Sequence, residues 1–158
     1  SDVCSSDLGV ARRDAGRVIV DANVLLYAVD GDSPFHLAAS RWLEDALNGD
    51  VRVGLPWQTL GAFLRISTHP RIAASPLGGE EAWEYVESWL AAPAAWVPAP
   101  GRETADVYGR LCRSVPITGN LVTDAMLAAM AIEHGVAIVS ADADFARFPG
   151  VRWLNPLR

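Results

Sequence analysis

Apolar positions along this chain switch between two periods, and the switches mark its elements. Val18-Ile19-Val20 is a β-branched run ending on Asp21; it predicts a strand, then a helix over Val24 to Ala28 with Asn23 as N-cap. Ser33-Pro34 predicts a second helix with Pro34 in its first turn. Leu37, Ala38, Trp42, Leu43 and Leu47 line its apolar face before Asn48-Gly49 stops it. Arg52 to Leu55 predicts a strand and Trp57 to Ser67 a helix ended by His69-Pro70. A Pro/Gly/Ser-rich loop at 75–79 then leads into a helix from Glu80 to Leu90. Trp96-Val97 reads as a short strand and Glu103 to Arg113 as a helix. From Thr123, its expected cap, a long helix runs to a stop at Gly135. Val136 to Val139 is continuously apolar, as a strand buried on both faces requires. A helical turn at Asp142 to Phe148 and a last strand at Val151 to Leu154 complete the chain.

Strands alternating with helices in this way predict an α/β fold, a three-layer sandwich around a central, mostly parallel sheet. One domain over residues 18–158 accounts for the pattern, with residues 1–17 as an N-terminal extension. The octapeptide at residues 1–8 is polar and non-periodic and resembles a translated sequencing-adapter fragment. That predicts a native start between Gly9 and Val18, with Cys112 as the single natural cysteine. One cysteine forms no internal disulfide and no cysteine zinc site, which points to a reducing cytoplasm. No apolar stretch approaches the roughly 20 residues that span a bilayer, so no membrane segment is expected.

Charge changes the picture next. The net charge is −6, and all 13 basic residues are arginine. A nucleic-acid partner must therefore be held by local arginines rather than by a global basic field. The acids are placed to matter. Asp21 follows one predicted strand, Asp142 and Asp144 follow another, and Asp124 opens the helix that leads into it. Ligands of an open α/β sheet bind beyond the carboxyl ends of its strands, so these four acids are expected to meet in one crevice. Clustered carboxylates repel unless a cation or a proton intervenes. A hard divalent ion with oxygen preference, Mg²⁺ or Mn²⁺, suits such a group. Each acid also has a plainer reading: Asp21 as a helix cap, Asp124 as a complement to a helix dipole, and Asp142 and Asp144 as turn residues. Their coincidence at one sheet edge favours the metal site.

Three segments carry a family resemblance. Val-Asp-Ala-Asn-Val-Leu-Leu-Tyr-Ala (20–28), Leu-Val-Thr-Asp-Ala-Met-Leu-Ala-Ala-Met-Ala (121–131) and Val-Ser-Ala-Asp-Ala-Asp-Phe (139–145) resemble the acidic motifs of PIN-domain ribonucleases. More narrowly, they are similar to those of VapC-type toxins of bacterial toxin–antitoxin modules. The likeness runs from about Val18 to the C-terminus. It implies a Mg²⁺- or Mn²⁺-dependent endoribonuclease with an RNA substrate, a homodimer, and a cognate antitoxin folding over the site. Carried over by position, it makes Asp21, Asp124 and Asp142 the metal ligands, with Asp144 assisting catalysis. Asn23 and Ser140 are the candidates to orient these carboxylates. The acidic crevice further predicts an inhibitory antitoxin segment, at its C-terminus, that carries Arg or Lys. Helices 37–47 and 57–67 are the candidate dimer contacts.

One departure matters. PIN toxins usually place a glutamate just before a Phe-Leu pair in the third helix, and Ala62 stands there in this chain. The resemblance therefore leaves two readings: an active nuclease with one or two metals, or a catalytically impaired PIN-fold module that binds antitoxin or RNA. Glu44 is a poor substitute, since solvation explains it. Arg65, one turn beyond Ala62, is placed to reach a substrate phosphate. Trp57 and Trp153 are candidate base-stacking residues. His36, His69 and His134 lack metal-ligand spacing; His134 offsets its helix dipole and His69 shapes a turn. Aspartyl-phosphate chemistry fits less well, because no lysine is available to neutralise a transferred phosphate. Dinucleotide binding lacks its G-x-G-x-x-G motif.

Overall fold

Strands β1 (Arg17–Val20), β2 (Arg52–Gly54), β3 (Ala95–Trp96), β4 (Ala137–Val139) and β5 (Trp153–Leu154) pair in parallel in the order β3-β2-β1-β4-β5. They belong to a computed structural model that describes residues 16–158. The N-terminal octapeptide, Cys4 and most of the expected extension lie outside the described residues. The chain builds the sheet outward from β1 through β2 to β3, then crosses back to add β4 and β5 on the other side. Connections leaving the strands beside that reversal run to opposite faces of the sheet and leave a crevice outside the carboxyl ends. In this chain the crevice lies beyond β1 and β4.

Alternation within the strands gives the sheet two buried faces. Val18, Val20, Ala137 and Val139 pack on one side with residues of helices α1 (Ala22–Val29), α2 (His36–Leu47), α3 (Trp57–Ser67) and α4 (Gly79–Ala91). Ile19 and Ile138 point the other way, into the core formed with α5 (Arg102–Ser114) and α6 (Leu121–His134). Each of these two isoleucines is fully buried, worth roughly 1.5–3 kcal/mol relative to exposure. Helix α6 is apolar nearly all round because it is sandwiched: Ala125 and Leu127 through Ala131 are all buried. It ends where Gly135 takes φ +67°, a left-handed conformation that glycine alone adopts without strain. No helix among the described residues is long and apolar enough to cross a membrane.

Several local expectations need correction. Asp21, rather than Asn23, caps α1, because the helix begins at Ala22, two residues earlier than the apolar pattern indicates. Pro34 precedes α2 instead of sitting in its first turn; the turn at 31–35 is closed by hydrogen bonds from Ser33 to Asp30 and from His36 to Ser33. Thr123 is not a cap either. Helix α6 begins at Leu121, and the Thr123 hydroxyl donates back to the Asn120 carbonyl at 3.1 Å. Leu43, Leu47, Leu60 and Phe63 are buried within the chain. Of the two helices expected to offer dimer contacts, exposed Leu37 and Trp57 remain at the surface.

Candidate metal centre

The last residues of β1 and β4 fix the crevice. Backbone N–H of Asp21 donates to the Val139 carbonyl at 2.9 Å, so the two strand ends are stitched together where their acids emerge. One Asp21 oxygen, Oδ1, accepts from the Ala22 N–H at 2.8 Å. Its other oxygen, Oδ2, accepts from the Ser140 hydroxyl at 2.8 Å and from the Asn23 amide at 3.2 Å. Asn23 also donates to Ser140 Oγ at 3.0 Å, and its own Oδ1 accepts from the Ala141 N–H at 3.2 Å. Ser140, fully buried, receives the Asp142 N–H at 3.0 Å, and Asp142 Oδ1 receives the Asp144 N–H at 2.9 Å. A continuous hydrogen-bonded chain thus runs from Asp21 to Asp144. Asn23 and Ser140 are links of that chain, between Asp21 and Asp142.

Helix α6 brings the remaining acid across. Carboxylate oxygens of Asp124, Asp142 and Asp144 lie within 4.8 Å of one another. Asp21 stands outside that group of three, but its charge acts on Asp124. With Asp142 and Asp144 it adds to the main effect, burial, and the Asp124 carboxyl is pushed up from 3.8 to about 7. Burial also raises Asp21, and Asp142 adds to the shift, while the hydrogen bonds from Ser140 and Ala22 oppose it. Asp144 pairs at 3.8 Å with Arg147 on the surface, a contact of little energetic weight.

Beside the acids runs a cleft of about 380 Å³ between α3 and α6, lined by Asp21, Asp124, Ala62, Arg65, Gln58 and Tyr108 among others. Ala62 therefore lines the same cleft as Asp21 and Asp124. Glu44 does not supply the missing carboxylate, since it lines a different cavity with Ser40 and Tyr85. Arg65 is exposed, lines the cleft, and has no ion-pair partner among the described residues.

Three supporting residues escape sequence reasoning. Buried Thr59 donates to the Val20 carbonyl at 2.9 Å, tying α3 to the end of β1. The indole of Trp153 donates to the Ser140 carbonyl at 2.9 Å, so this tryptophan props the site from β5. Tyr108 donates to the Val122 carbonyl at 3.1 Å and closes the cleft from α5. Threonine three residues before Ala62 is a faint local signal; the other two contacts have none. As for the histidines, His69 Nδ1 accepts the Arg71 N–H at 3.0 Å and shapes the expected turn. A ring nitrogen of His134 meets the Ala99 carbonyl at 3.2 Å.

This donor set suits a hard cation. All four groups are carboxylates, no thiol or imidazole is among them, and the charge crowding that adds to burial in lifting Asp124 is what a divalent ion relieves.

Comparison with known proteins agrees with this geometry. A family model described as the PIN domain matches residues 18–151. Ribonuclease VapC37 of Mycobacterium tuberculosis is 49% identical over 138 residues, covering 87% of this chain and 96% of the relative. Ribonuclease VapC33 of the same species is 40% identical over 141 residues, covering 89% and 99%. Among solved structures, VapBC2 from Rickettsia felis, bound to a promoter DNA fragment, superposes with a TM-score of 0.66 at 17% identity over 88% of this chain and 98% of that one. At that identity the likeness speaks for the fold.

Proposed function

The chain belongs to the PIN-domain family and, within it, to the VapC group, and on that premise we propose that it is a metal-dependent endoribonuclease serving as the toxin of a toxin–antitoxin pair. The single observation that carries the proposal is the convergence of Asp124, Asp142 and Asp144 within 4.8 Å, with Asp21 acting on Asp124 from the adjoining strand end.

In this reading Asp21, Asp124 and Asp142 hold Mg²⁺ or Mn²⁺ and Asp144 assists. When bound, such an ion supplies positive charge to the phosphate and acidity to a coordinated water. The chain's own groups do the rest. Ser140 and Asn23 fix the Asp21 carboxylate, so it meets the ion in one orientation. Asp124, whose carboxyl titrates near 7 in the bare protein, surrenders its proton on loading. Unpaired Arg65 approaches an RNA phosphate from α3.

A binding-only module is not favoured, despite Ala62, because Asp124, Asp142 and Asp144 stay together and relatives at 49% and 40% identity are named ribonucleases. The partner proposed is an antitoxin whose C-terminal segment brings Arg or Lys into the acidic crevice; homodimerisation and action in the cytoplasm belong to the same reading. Incubating purified protein with RNA in Mn²⁺ or Mg²⁺ tests it, with Asp124→Asn as control. Metal-dependent cleavage lost in the variant is expected; cleavage that survives the substitution, or none by the wild type across a broad RNA panel, contradicts it. A solitary gene without a small neighbour would count against the toxin role.

A further inference from the structure

The cleft beside the acids joins their charge to apolar walls. Beyond Asp21 and Asp124 its lining turns apolar: Ala62 on α3 faces Val122, Met126 and Leu127 on α6. A phosphodiester backbone gains nothing from such walls. Of its other polar groups, Thr123 and Tyr108 come from α6 and α5, while two share one face of α3. Gln58, Ala62 and Arg65 follow at helical spacing, so an exposed amide and an exposed guanidinium flank the small alanine.

We propose that this cleft receives one unstacked nucleobase of a single-stranded RNA next to the scissile phosphate, with Gln58 reading the base edge. The inference rests on the ribonuclease reading and adds to it a determinant of sequence preference. Three observations combine. The cleft is continuous with the acids, so a base seated in it belongs to a nucleotide whose phosphate lies at the metal-binding carboxylates. Its walls offer methyl, thioether and leucine surface to the ring faces, and single-stranded RNA is commonly read by splaying bases into such places. A glutamine amide carries both donor and acceptor, so it can satisfy a base edge that an apolar wall would leave unpaired. Arg65, lacking an ion-pair partner among the described residues, is free to hold the neighbouring phosphate. Ala62 thus acquires a second meaning: a residue too short to ligate leaves room for a ring.

The test separates base from backbone. Binding of fluorescent ten-nucleotide RNAs is measured by anisotropy in Ca²⁺, using A, C, G and U homopolymers and an abasic ribose-phosphate chain of equal length. Wild-type protein is expected to bind its preferred homopolymer about tenfold more tightly than the abasic chain. Ala62→Phe, which fills the cleft, should erase that preference while leaving abasic binding intact. Gln58→Leu, at an exposed position, should change the ranking of the four bases, with circular dichroism confirming the fold of both variants. Equal binding of base-bearing and abasic chains by the wild type overturns the inference, as does a ranking that both variants preserve. If no chain binds at all, the ribonuclease reading itself falls, and the base pocket with it.

Discussion

On the β1–β4 side of the crevice, Asp21 accepts three hydrogen bonds and Ser140 lies fully buried between Asp21 and Asp142; on the α6 side, no donor among the described residues reaches Asp124, which shares its cleft with Ala62 of α3. The difference follows from how each side is made. Strand ends carry backbone N–H groups and a buried hydroxyl to the acids, so orientation there is settled by folding alone. Helix α6 brings Asp124 with no hydrogen bond from a described donor, so its half-buried charge is left facing those of Asp21, Asp142 and Asp144. Preorganisation and electrostatic frustration therefore sit within one site. The first supplies geometry, and the second supplies the drive to take up a cation.

Removing charge from the loose side should have the largest effect. Asp124→Asn is expected to abolish metal-dependent RNA cleavage while raising the stability of the metal-free protein, because it relieves repulsion; urea unfolding beside a cleavage assay checks both. A variant that loses activity and stability together would show Asp124 to be a structural acid.

The pinned side predicts the opposite pairing. Ser140→Ala strips hydrogen bonds from Asp21, Asn23 and the Asp142 N–H, so stability should drop by about 1–3 kcal/mol. Metal affinity should fall with it, by roughly 10- to 100-fold. If the two substitutions behaved alike, the contrast between the sides would be lost.

pH offers a subtler probe. The Asp124 carboxyl is raised from 3.8 to about 7 in the fold, so between those values the native state holds a proton that the unfolded chain has released. Metal-free stability must therefore decline as pH rises through that window, relative to Asp124→Asn. Asp21, raised in the same direction, adds to the decline. Saturating Mg²⁺ should flatten the curve, since only the deprotonated site binds it. Thermal melting at matched ionic strength measures the trend, and a stability that climbs with pH in this range would contradict it.

The smallest expected effect comes from restoring a carboxylate. Ala62→Glu adds a ligand to the loose side and should tighten Mn²⁺ binding modestly while lowering metal-free stability. Unchanged affinity would indicate that α3 does not face the ion.

Much of this contrast was legible in the chain, but unevenly. Val18–Val20 and Val136–Val139 announce buried parallel strands by composition, and an acid at the end of each is enough to locate the crevice. Asp124 needed only its place at the start of an apolar helix. What stayed hidden depends on long-range contact: Thr59 to Val20 and Trp153 to Ser140 join segments with no local feature in common. Nor does periodicity separate Asp21 from Asn23 as the cap of α1, since both are good capping residues two positions apart. That Asp144, and not Asp21, completes the closest trio arises from the turn after β4, whose Asp142–Asp144 hydrogen bond folds the second acid back toward the first.

Titration calorimetry of Mn²⁺ into metal-free protein and into its Asp124→Asn variant bears most directly on the convergence of these acids. The account predicts saturable binding by the wild type, with proton release at pH 6, and binding too weak to saturate in a variant that remains folded. Equal binding by the two proteins, or none by either, would contradict it.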